Sequence, residues 1–407
     1  MGQRANAITA LRKDHMLGTS VAPWPAYDEE EVAAAARVLR SGRVNQWTGE
    51  EVRTFERAFA RFAGCEHAVA VANGTLALDL ALLGLGVGPG DEVVVTPRTF
   101  IASVSSVANA GAVPVFADVD RDSGNISPAT IAPVLSEKTK AIIPVHLAGW
   151  PCDMPGIMAL AEPRGIAVIE DCAQAHGARI DGRPVGSFGH AGAWSFCQDK
   201  IMTTGGEGGM VTCNDHALWS AMWAYKDHGK SWEAVFERAH EPGFRWLHES
   251  FGTNWRMLEI QAAIGLIQLD RMERWTQRRS EIAERYTQAL APFAHAVRAP
   301  RPESGLQHAW YRFYGYVREE GLKPGWDRDR IVAEVTARGV PLMQGSCSEV
   351  YLEKAFDGTG WRPAQRLPRA RELGATSLMF LTHPTLSDAD VARICDAVSA
   401  TLAEATT

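Results

Sequence analysis

The chain has 407 residues, 46% of them hydrophobic, and a formal net charge of −7 at pH 7. This length and composition predict one large folded domain with a smaller one, and they exclude fibrous and disordered chains. Acidic and basic residues are interspersed without a basic stripe, so no nucleic-acid partner is expected.

The apolar runs and the cysteines indicate the cellular compartment in which the protein is expected. The longest apolar stretches, such as residues 68–72 and 141–145, are strand-sized, so no membrane span is expected. The N-terminus lacks the continuous apolar segment of a secretory signal. The seven cysteines are scattered, with no CxxC pair. This pattern is typical of reduced thiols in a cytoplasmic protein, and no metal site is predicted.

Short apolar runs alternate with helix-length segments through the first 215 residues. Strands are predicted at 68–72, 91–96, 113–119, 140–146 and 165–171, and two more at 192–197 and 209–214. Because the runs are apolar on both faces and helices separate most of them, they predict a mostly parallel sheet covered by helices on both sides.

From Asp215 onward the pattern changes. Residues 259–290 carry apolar side chains at helical spacing and predict long helices. The end of the chain, roughly 300–407, is predicted to be a small α+β unit. Its strands are expected at 308–317 and 377–382, and its helices at 327–339 and 388–402.

Gly74 and Thr75 directly follow the first predicted strand and open a helix. Free N–H groups, a hydroxyl and the positive end of the helix dipole together suit a phosphate. Taken alone, a threonine cap after a glycine turn explains the same residues, and it is the commoner arrangement.

Glu170 and Asp171 stand at the carboxyl end of a very apolar predicted strand. Ligand sites of parallel sheets lie at that edge, and an acid there can keep a ring nitrogen protonated. A helix-capping aspartate is the alternative. Gln174, three residues further, could donate a hydrogen bond to a ring oxygen, or it is an ordinary loop residue.

Lys200 lies between a predicted strand and a glycine-rich loop. A lysine buried there is expected to have a lowered pKa and to act as a nucleophile, whereas an isolated loop lysine is usually a solvated charge. Ser195, on the strand before it, could hold a phosphate oxygen or be a small buried residue.

These features together favour one cofactor. A phosphate-binding turn, an acid at a strand end, and a serine and a lysine after it form the set that pyridoxal phosphate (PLP) requires. Lys200 would hold the aldehyde and, once displaced, move the proton between the substrate's Cα and the cofactor's C4′.

The chain also resembles the DegT/DnrJ/EryC1/StrS group of sugar and cyclitol aminotransferases from about Trp24 to the C-terminus. The matching stretches include NGTLAL, GPGDEVVVTPRTFIAS, VIEDCAQAHGA, SFCQDKIMTTGGEGGMV and GTNWRMLEIQAAIGL. The resemblance implies an α/β fold of type I, a mostly parallel sheet flanked by helices with a small C-terminal α+β domain. The expected divisions are an N-terminal extension (1–25), a large PLP-binding domain (26–270), and a long connecting helix with the small domain (271–407).

The resemblance also implies roles for single residues. Lys200 is similar to the lysine of the internal aldimine, Asp171 to the partner of the pyridine nitrogen, and Gln174 to the residue that bonds the ring's 3′-oxygen. The other cofactor contacts that it implies are a ring-stacking Phe100 and the phosphate ligands Gly74, Thr75, Ser195 and Asn254. Asn254 would reach the phosphate across a homodimer interface, so the active sites would be shared.

Substrate contacts are expected from Arg256, Gln344, Ser346 and Tyr351, although a polar loop entering a helix would look similar around the last three. The aromatic segment 223–254 is either an active-site loop or a surface excursion packed on the partner subunit.

The resemblance implies that L-glutamate converts the cofactor to pyridoxamine phosphate, after which a keto group on a sugar, expected to be nucleotide-linked, accepts the amine. A keto-inositol is the alternative acceptor. A dehydratase, in which histidine replaces the lysine, is disfavoured because Lys200 is present. A non-catalytic regulatory homologue is disfavoured because Lys200, Asp171 and the phosphate turn are all retained.

Overall fold

The computed structural model describes residues 21–240, 242–243 and 245–406, so most of the predicted N-terminal extension lies outside the described residues. The strands are β1 (His67–Val71), β2 (Glu92–Val95), β3 (Val113–Phe116), β4 (Thr139–Ile143), β5 (Ala167–Asp171), β6 (Arg179–Ile180), β7 (Arg183–Pro184), β8 (Ala191–Ser195), β9 (Gly209–Cys213), β10 (Val297–Arg298), β11 (Leu306–Gln307), β12 (Arg312–Val317) and β13 (Ser377–Leu381).

The helices are α1 (Glu29–Ser41), α2 (Glu51–Ala63), α3 (Gly74–Gly84), α4 (Ala102–Asn109), α5 (Pro128–Ile131), α6 (Met154–Ala161), α7 (His216–Tyr225), α8 (Trp232–Phe236), α9 (Glu259–Asp270), α10 (Met272–Leu290), α11 (Arg328–Ala337), α12 (Pro368–Thr376) and α13 (Asp388–Ala405). No helix in the described part of the chain is both long and apolar enough to cross a membrane.

Seven strands form the central sheet, in the order β1-β9-β8-β5-β4-β2-β3. Within this sheet, β8, β5, β4, β2 and β3 pair in parallel, as the apolar runs predict. β9 runs antiparallel to both of its neighbours, β1 and β8. Antiparallel neighbours need no crossover helix, so a loop alone connects β8 to β9. That loop carries Lys200 and the glycine-rich stretch.

The two faces of the sheet bury separate cores because side chains alternate along each strand. In β1, Val69 and Val71 pack into the core on one face, while Ala68 and Ala70 pack into the core on the other. Helices cover both faces, so the strands are apolar throughout. The mostly parallel, doubly covered sheet is confirmed.

The C-terminal unit has its own core. The three-stranded sheet β10-β12-β13 packs against α10, α11 and α13 around residues such as Ile282, Phe313 and Val391. The helical pattern over 259–290 forms two helices, with Arg271 between them. The Arg271 guanidinium is paired with three acidic side chains at the start of α1, which holds the chain at that point: Asp28, Glu30 and Glu31. The proposed domain boundary at 270 stays a prediction.

Candidate active site

A cavity of about 690 Å³ opens at the carboxyl edge of the central sheet. Parallel strands end together at this edge, so residues that are distant in sequence meet there. Eight of the residues singled out from the sequence line the cavity: Gly74, Thr75, Phe100, Asp171, Gln174, Ser195, Lys200 and Ser346.

The start of α3 forms one end of the cavity. Asn73 caps the helix, and its side chain accepts the N–H of Leu76 at 3.0 Å. The N–H groups of Gly74 and Thr75 donate to no other residue that the structure describes. Two free donors at the positive end of a helix dipole form a phosphate site.

Glycine is required where this turn meets the sheet. A Cβ on Gly74 would lie 2.5 Å from Ser195 Cβ, and a Cβ on Gly209 would lie 2.2 Å from the Asn73 carbonyl oxygen. The turn therefore lies directly against β8 and β9. This close approach places the Ser195 side chain beside the free N–H groups of α3.

The two acids at the end of β5 face opposite sides because side chains alternate along a strand. Asp171 lines the cavity, whereas Glu170 is fully buried on the other side of the sheet. Glu170 accepts hydrogen bonds from the backbone N–H groups of residues 186, 188 and 189, at 2.7–2.8 Å. Of the two acids, only Asp171 can contact a ligand in the cavity.

His146 completes the environment of Glu170. Its Nδ1 accepts the N–H of Cys152 at 2.9 Å, so its Nε2 carries the proton and donates to Glu170 at 3.0 Å. The Cys172 sulfur lies near both groups. Burial raises the pKa of Cys172 well above its ordinary value, which keeps the thiol protonated. The lone pairs of His146 and Glu170 are committed to these hydrogen bonds, so the cluster is structural.

Asp171 is buried and hydrogen-bonded but lacks a close cationic partner among the described residues. Ser103 Oγ donates to its Oδ2 at 2.8 Å and the Ala173 N–H donates to its Oδ1 at 3.1 Å. Burial raises the pKa of Asp171, and the hydrogen bond from Ser103 opposes this rise. A protonated ring nitrogen is the kind of partner that would keep such a carboxylate ionised.

The amide orientation of Gln174 follows from a backbone contact. Its Oε1 accepts the N–H of Ala148 at 2.7 Å, so its Nε2 group is the available donor. Ala148 has a φ of 58°, an uncommon value for a residue with a Cβ. Since the Gln174 oxygen is engaged by Ala148, the Gln174 amide N–H₂ remains as a donor beside the cavity.

The structure corrects the expected titration of Lys200. Burial lowers the pKa of the amine, as the sequence predicts, but its acidic neighbours, among them the carboxylates of Asp199 and Asp171, outweigh burial, and the net pKa lies above its ordinary value. Lys200 Nζ is 4.0 Å from Asp199 Oδ1 and 5.2 Å from the centre of the Tyr311 ring. The nearby carboxylates therefore favour the protonated form of the amine in the cofactor-free protein.

Three further residues that sequence reasoning missed line the cavity beside Lys200: Asp199, Tyr311 and Arg312. The Tyr311 hydroxyl donates to Asp199 Oδ2 at 2.5 Å, and Arg312 Nη2 is 3.4 Å from the same oxygen. Tyr311 and Arg312 belong to a stretch predicted only as a strand. They are more than 100 residues from Asp199 along the chain, and no local pattern indicates this contact.

Four residues expected at the site lie outside this cavity. Asn254 is exposed, and Arg256 is paired with the buried Asp227 at 2.6 Å. Gln344 is exposed and donates to Asp329 at 3.1 Å. Asn254 ends the aromatic segment 223–254 and Arg256 follows it; the phosphate contact of Asn254 and the substrate contact of Arg256 stay predictions.

Tyr351 requires a correction. Only 2% of its surface is exposed, it packs against Phe116, and its hydroxyl donates to Glu349 at 2.6 Å. The expected substrate contact has no support in this position because the polar loop of residues 345–349 turns its next residues into the core. Ser346, on that loop, does line the cavity, and its N–H donates to the Tyr314 hydroxyl at 3.0 Å.

Known proteins are similar to this chain in sequence and in fold over nearly its whole length. The model of the DegT/DnrJ/EryC1/StrS aminotransferase family matches residues 25–399. GDP-perosamine synthase of Caulobacter vibrioides is 37% identical over 87% of this chain and 91% of its own.

Solved structures agree in fold. An aminotransferase from Psychrobacter cryohalolentis has a TM-score of 0.93 and 58% identity, covering 94% of this chain and 99% of its own. DesV of S. venezuelae, solved with a ketimine intermediate, has a TM-score of 0.81 and 34% identity, covering 92% and 94%. The fold is therefore that of the type I PLP-dependent aminotransferases, and this chain is an aminotransferase that belongs to the DegT/DnrJ/EryC1/StrS family.

Proposed function

We propose that this enzyme transfers the amino group of L-glutamate to a keto group of a nucleotide-linked sugar, with PLP carrying the group between them. One observation carries the proposal: a single cavity brings together the free N–H groups of α3, the Asp171 carboxylate and the Lys200 amine. The similarity to GDP-perosamine synthase supports a nucleotide-linked sugar as the acceptor.

The residues of the cavity fit the cofactor in charge and shape. Gly74, Thr75 and Ser195 would hold the phosphate, and the Gln174 amide would donate to the ring oxygen. Phe100 is 67% exposed at the cavity, and a flat ring stacked on it would cover that apolar surface. Bound PLP supplies an aldehyde that takes up the amino group and a ring that accepts electrons when a proton leaves the substrate.

Lys200 and Asp171 then have distinct roles. Lys200 would anchor the aldehyde and, when released, would carry the proton to and from the substrate carbon. The acidic neighbours of Lys200 favour its protonated form, which cannot act as a base. Formation of the covalent bond to the aldehyde would remove that proton, so the amine would be neutral when it is released. Asp171, held by Ser103 and the Ala173 N–H, would keep the ring nitrogen protonated.

The same proposal includes a homodimer with shared sites. Asn254 is exposed and lies outside the cavity of its own chain, so it is available to the phosphate of a partner subunit. Phe251 nearby is fully exposed, and an interface would cover it.

The test separates binding from turnover. Purified protein, supplemented with PLP, is expected to absorb in the visible range, to convert L-glutamate to 2-oxoglutarate, and then to aminate one of a panel of nucleotide-linked keto-sugars. Lys200→Ala should abolish both reactions, while Lys138→Ala, which changes an exposed lysine, should not. Absence of a PLP absorption band would refute the proposal. So would loss of water from the keto-sugar without amination.

A further inference from the structure

The cavity contains a guanidinium that binding of the cofactor does not require. Arg312 begins β12, lines the cavity, and leaves 11% of its side chain exposed. Its Cζ lies over the Tyr311 ring, 4.1 Å from the ring centre. An arginine in a ligand cavity is suited to a planar anion such as a carboxylate.

Arg312 makes no short hydrogen bond to a carboxylate among the described residues. Nη1 donates at 3.0 Å to the carbonyl of the preceding residue, Tyr311, and Nη2 lies 3.4 Å from Asp199 Oδ2 and 3.5 Å from the Tyr311 hydroxyl. Charge-assisted bonds from guanidinium to carboxylate are usually 2.7–2.9 Å. Asp199 instead makes its short bond, 2.5 Å, with the Tyr311 hydroxyl. The guanidinium can therefore leave Asp199 without removing that carboxylate's strongest contact.

The backbone just before Arg312 is hydrogen-bonded to and packed against Ala148 and Gly149, which lie beside Gln174 at the proposed cofactor site. The N–H of Tyr311 donates to the Ala148 carbonyl at 2.8 Å, and the N–H of Ala148 holds Gln174. A Cβ on Gly149 would lie 2.9 Å from the backbone nitrogen of Trp310, so the two segments pack without space between them. Arg312 is thus fixed relative to the ring site, as a specificity residue requires.

A second guanidinium adds positive charge behind the first. Arg279 is fully buried, donates to the Trp310 carbonyl at 3.3 Å, and leaves Nε and Nη2 without partners among the described residues. Burial and the charge of Arg312 lower the pKa of Arg279 to about 9. Asp199 and, further along the cavity, Glu207 supply negative charge.

From this geometry we propose that Arg312 binds a carboxylate of the amino donor, and that Asp199 is its alternative partner when the sugar occupies the cavity. The inference rests on the proposed function. One cavity must accept an anionic amino acid and then a sugar ring, and an arginine left unpaired in the second step would be costly. Asp199 lies close enough to take the guanidinium back without a large movement.

The experiment measures the first half-reaction of PLP-loaded enzyme in single turnovers. L-Glutamate is compared with L-glutamine, which lacks the side-chain carboxylate, and with L-isoglutamine, which lacks the α-carboxylate. Arg312→Gln should lower kcat/KM for L-glutamate by roughly 10- to 150-fold, the usual effect of losing a hydrogen bond to a charged group. The loss should be much smaller for the analogue that lacks the carboxylate bound by Arg312, which identifies that carboxylate.

Binding supplies a second readout. Calorimetric titration of 2-oxoglutarate into enzyme loaded with pyridoxamine phosphate should show a similar loss of affinity in Arg312→Gln and a smaller loss in Arg312→Lys. Arg301→Gln, which changes an exposed arginine, should match the wild type.

The outcomes separate the two proposals. If the wild type reacts with L-glutamate and Arg312→Gln reacts equally well, or loses the same factor with all three donors, the assignment of Arg312 is refuted and the proposed function stands. If the wild type reacts with none of the amino acids, the proposed function fails and this inference fails with it.

Discussion

Replacing Gly74 with alanine tests the phosphate-binding turn. The new Cβ would lie 2.5 Å from Ser195 Cβ, 2.8 Å from its Oγ and 3.0 Å from its Cα. Normal contacts between such atoms are about 3.5–4.0 Å, so the start of α3 must move away from β8 by several tenths of an ångström or more. Overpacking of this kind costs about 1–3 kcal/mol.

The same displacement moves the free N–H groups away from the phosphate. If the whole cost is relieved by this displacement, the Kd for PLP rises by roughly 5- to 140-fold, since each 1.4 kcal/mol corresponds to a factor of ten. Titration of cofactor-free protein with PLP, followed by absorbance, measures the Kd, and thermal unfolding of the same samples measures the Tm. The affinity is expected to fall, and the part of the clash that the displacement does not relieve should lower the Tm.

Two further variants make the test specific. Gly88→Ala adds a Cβ with nothing within 4 Å and should leave both quantities unchanged. Adding Ser195→Gly to Gly74→Ala removes the two closest clashes and should restore part of the lost Tm, even though a proposed phosphate ligand is gone. Wild-type PLP affinity in Gly74→Ala would refute the assignment of this turn to the phosphate.

Four other outcomes follow from the site. Asp171→Asn should raise the Tm of the cofactor-free protein at pH 7, because burial raises the pKa of Asp171 and makes its ionised form costly. The gain should disappear as the pH falls toward 3.8, and an unchanged Tm at pH 7 would contradict this account. Ser103→Ala removes a hydrogen bond that favours the ionised form of Asp171, so the acid limb of the pH profile of the half-reaction should move to higher pH. An unchanged acid limb would argue that the ionisation of Asp171 does not control the half-reaction. Glu170→Gln should lower the free energy of unfolding by about 3 kcal/mol or more in thermal or denaturant unfolding, because an amide cannot accept from all of its donors; wild-type stability would rule this out. Coexpression of the Lys200→Ala and Asn254→Ala chains should restore partial activity in mixed dimers if Asn254 acts across the interface. If the mixed dimers are as inactive as the single variants, Asn254 does not act on the partner's site.

Sequence reasoning succeeds where the signal is local. The apolar runs predict the parallel strands because strands buried on both faces need apolar side chains at every position. Eight of the expected site residues line one cavity because the sheet brings its strand ends, and the helix starts and loops that follow them, to one edge. The family resemblance, carried by whole motifs, is confirmed over residues 25–399.

Sequence reasoning fails where long-range contacts decide. Asp171 and Glu170 are adjacent acids that the residue pattern does not distinguish; the family resemblance picks Asp171, and the alternation along β5 shows that Asp171 is the one that lines the cavity. The Tyr311 hydroxyl donates to Asp199 beside Lys200, although the two residues are more than 100 positions apart in the chain.

The sequence by itself thus determined the fold class, the family and the residue types of the cofactor site, since these depend on periodicity and on short motifs. The tertiary structure alone decided the contact between Tyr311 and Asp199, the burial of Tyr351 and the presence of Arg312 in the cavity. Those three properties depend on electrostatic and packing contacts between distant segments. The strength of such contacts depends on distance in space, which no local pattern of residues encodes.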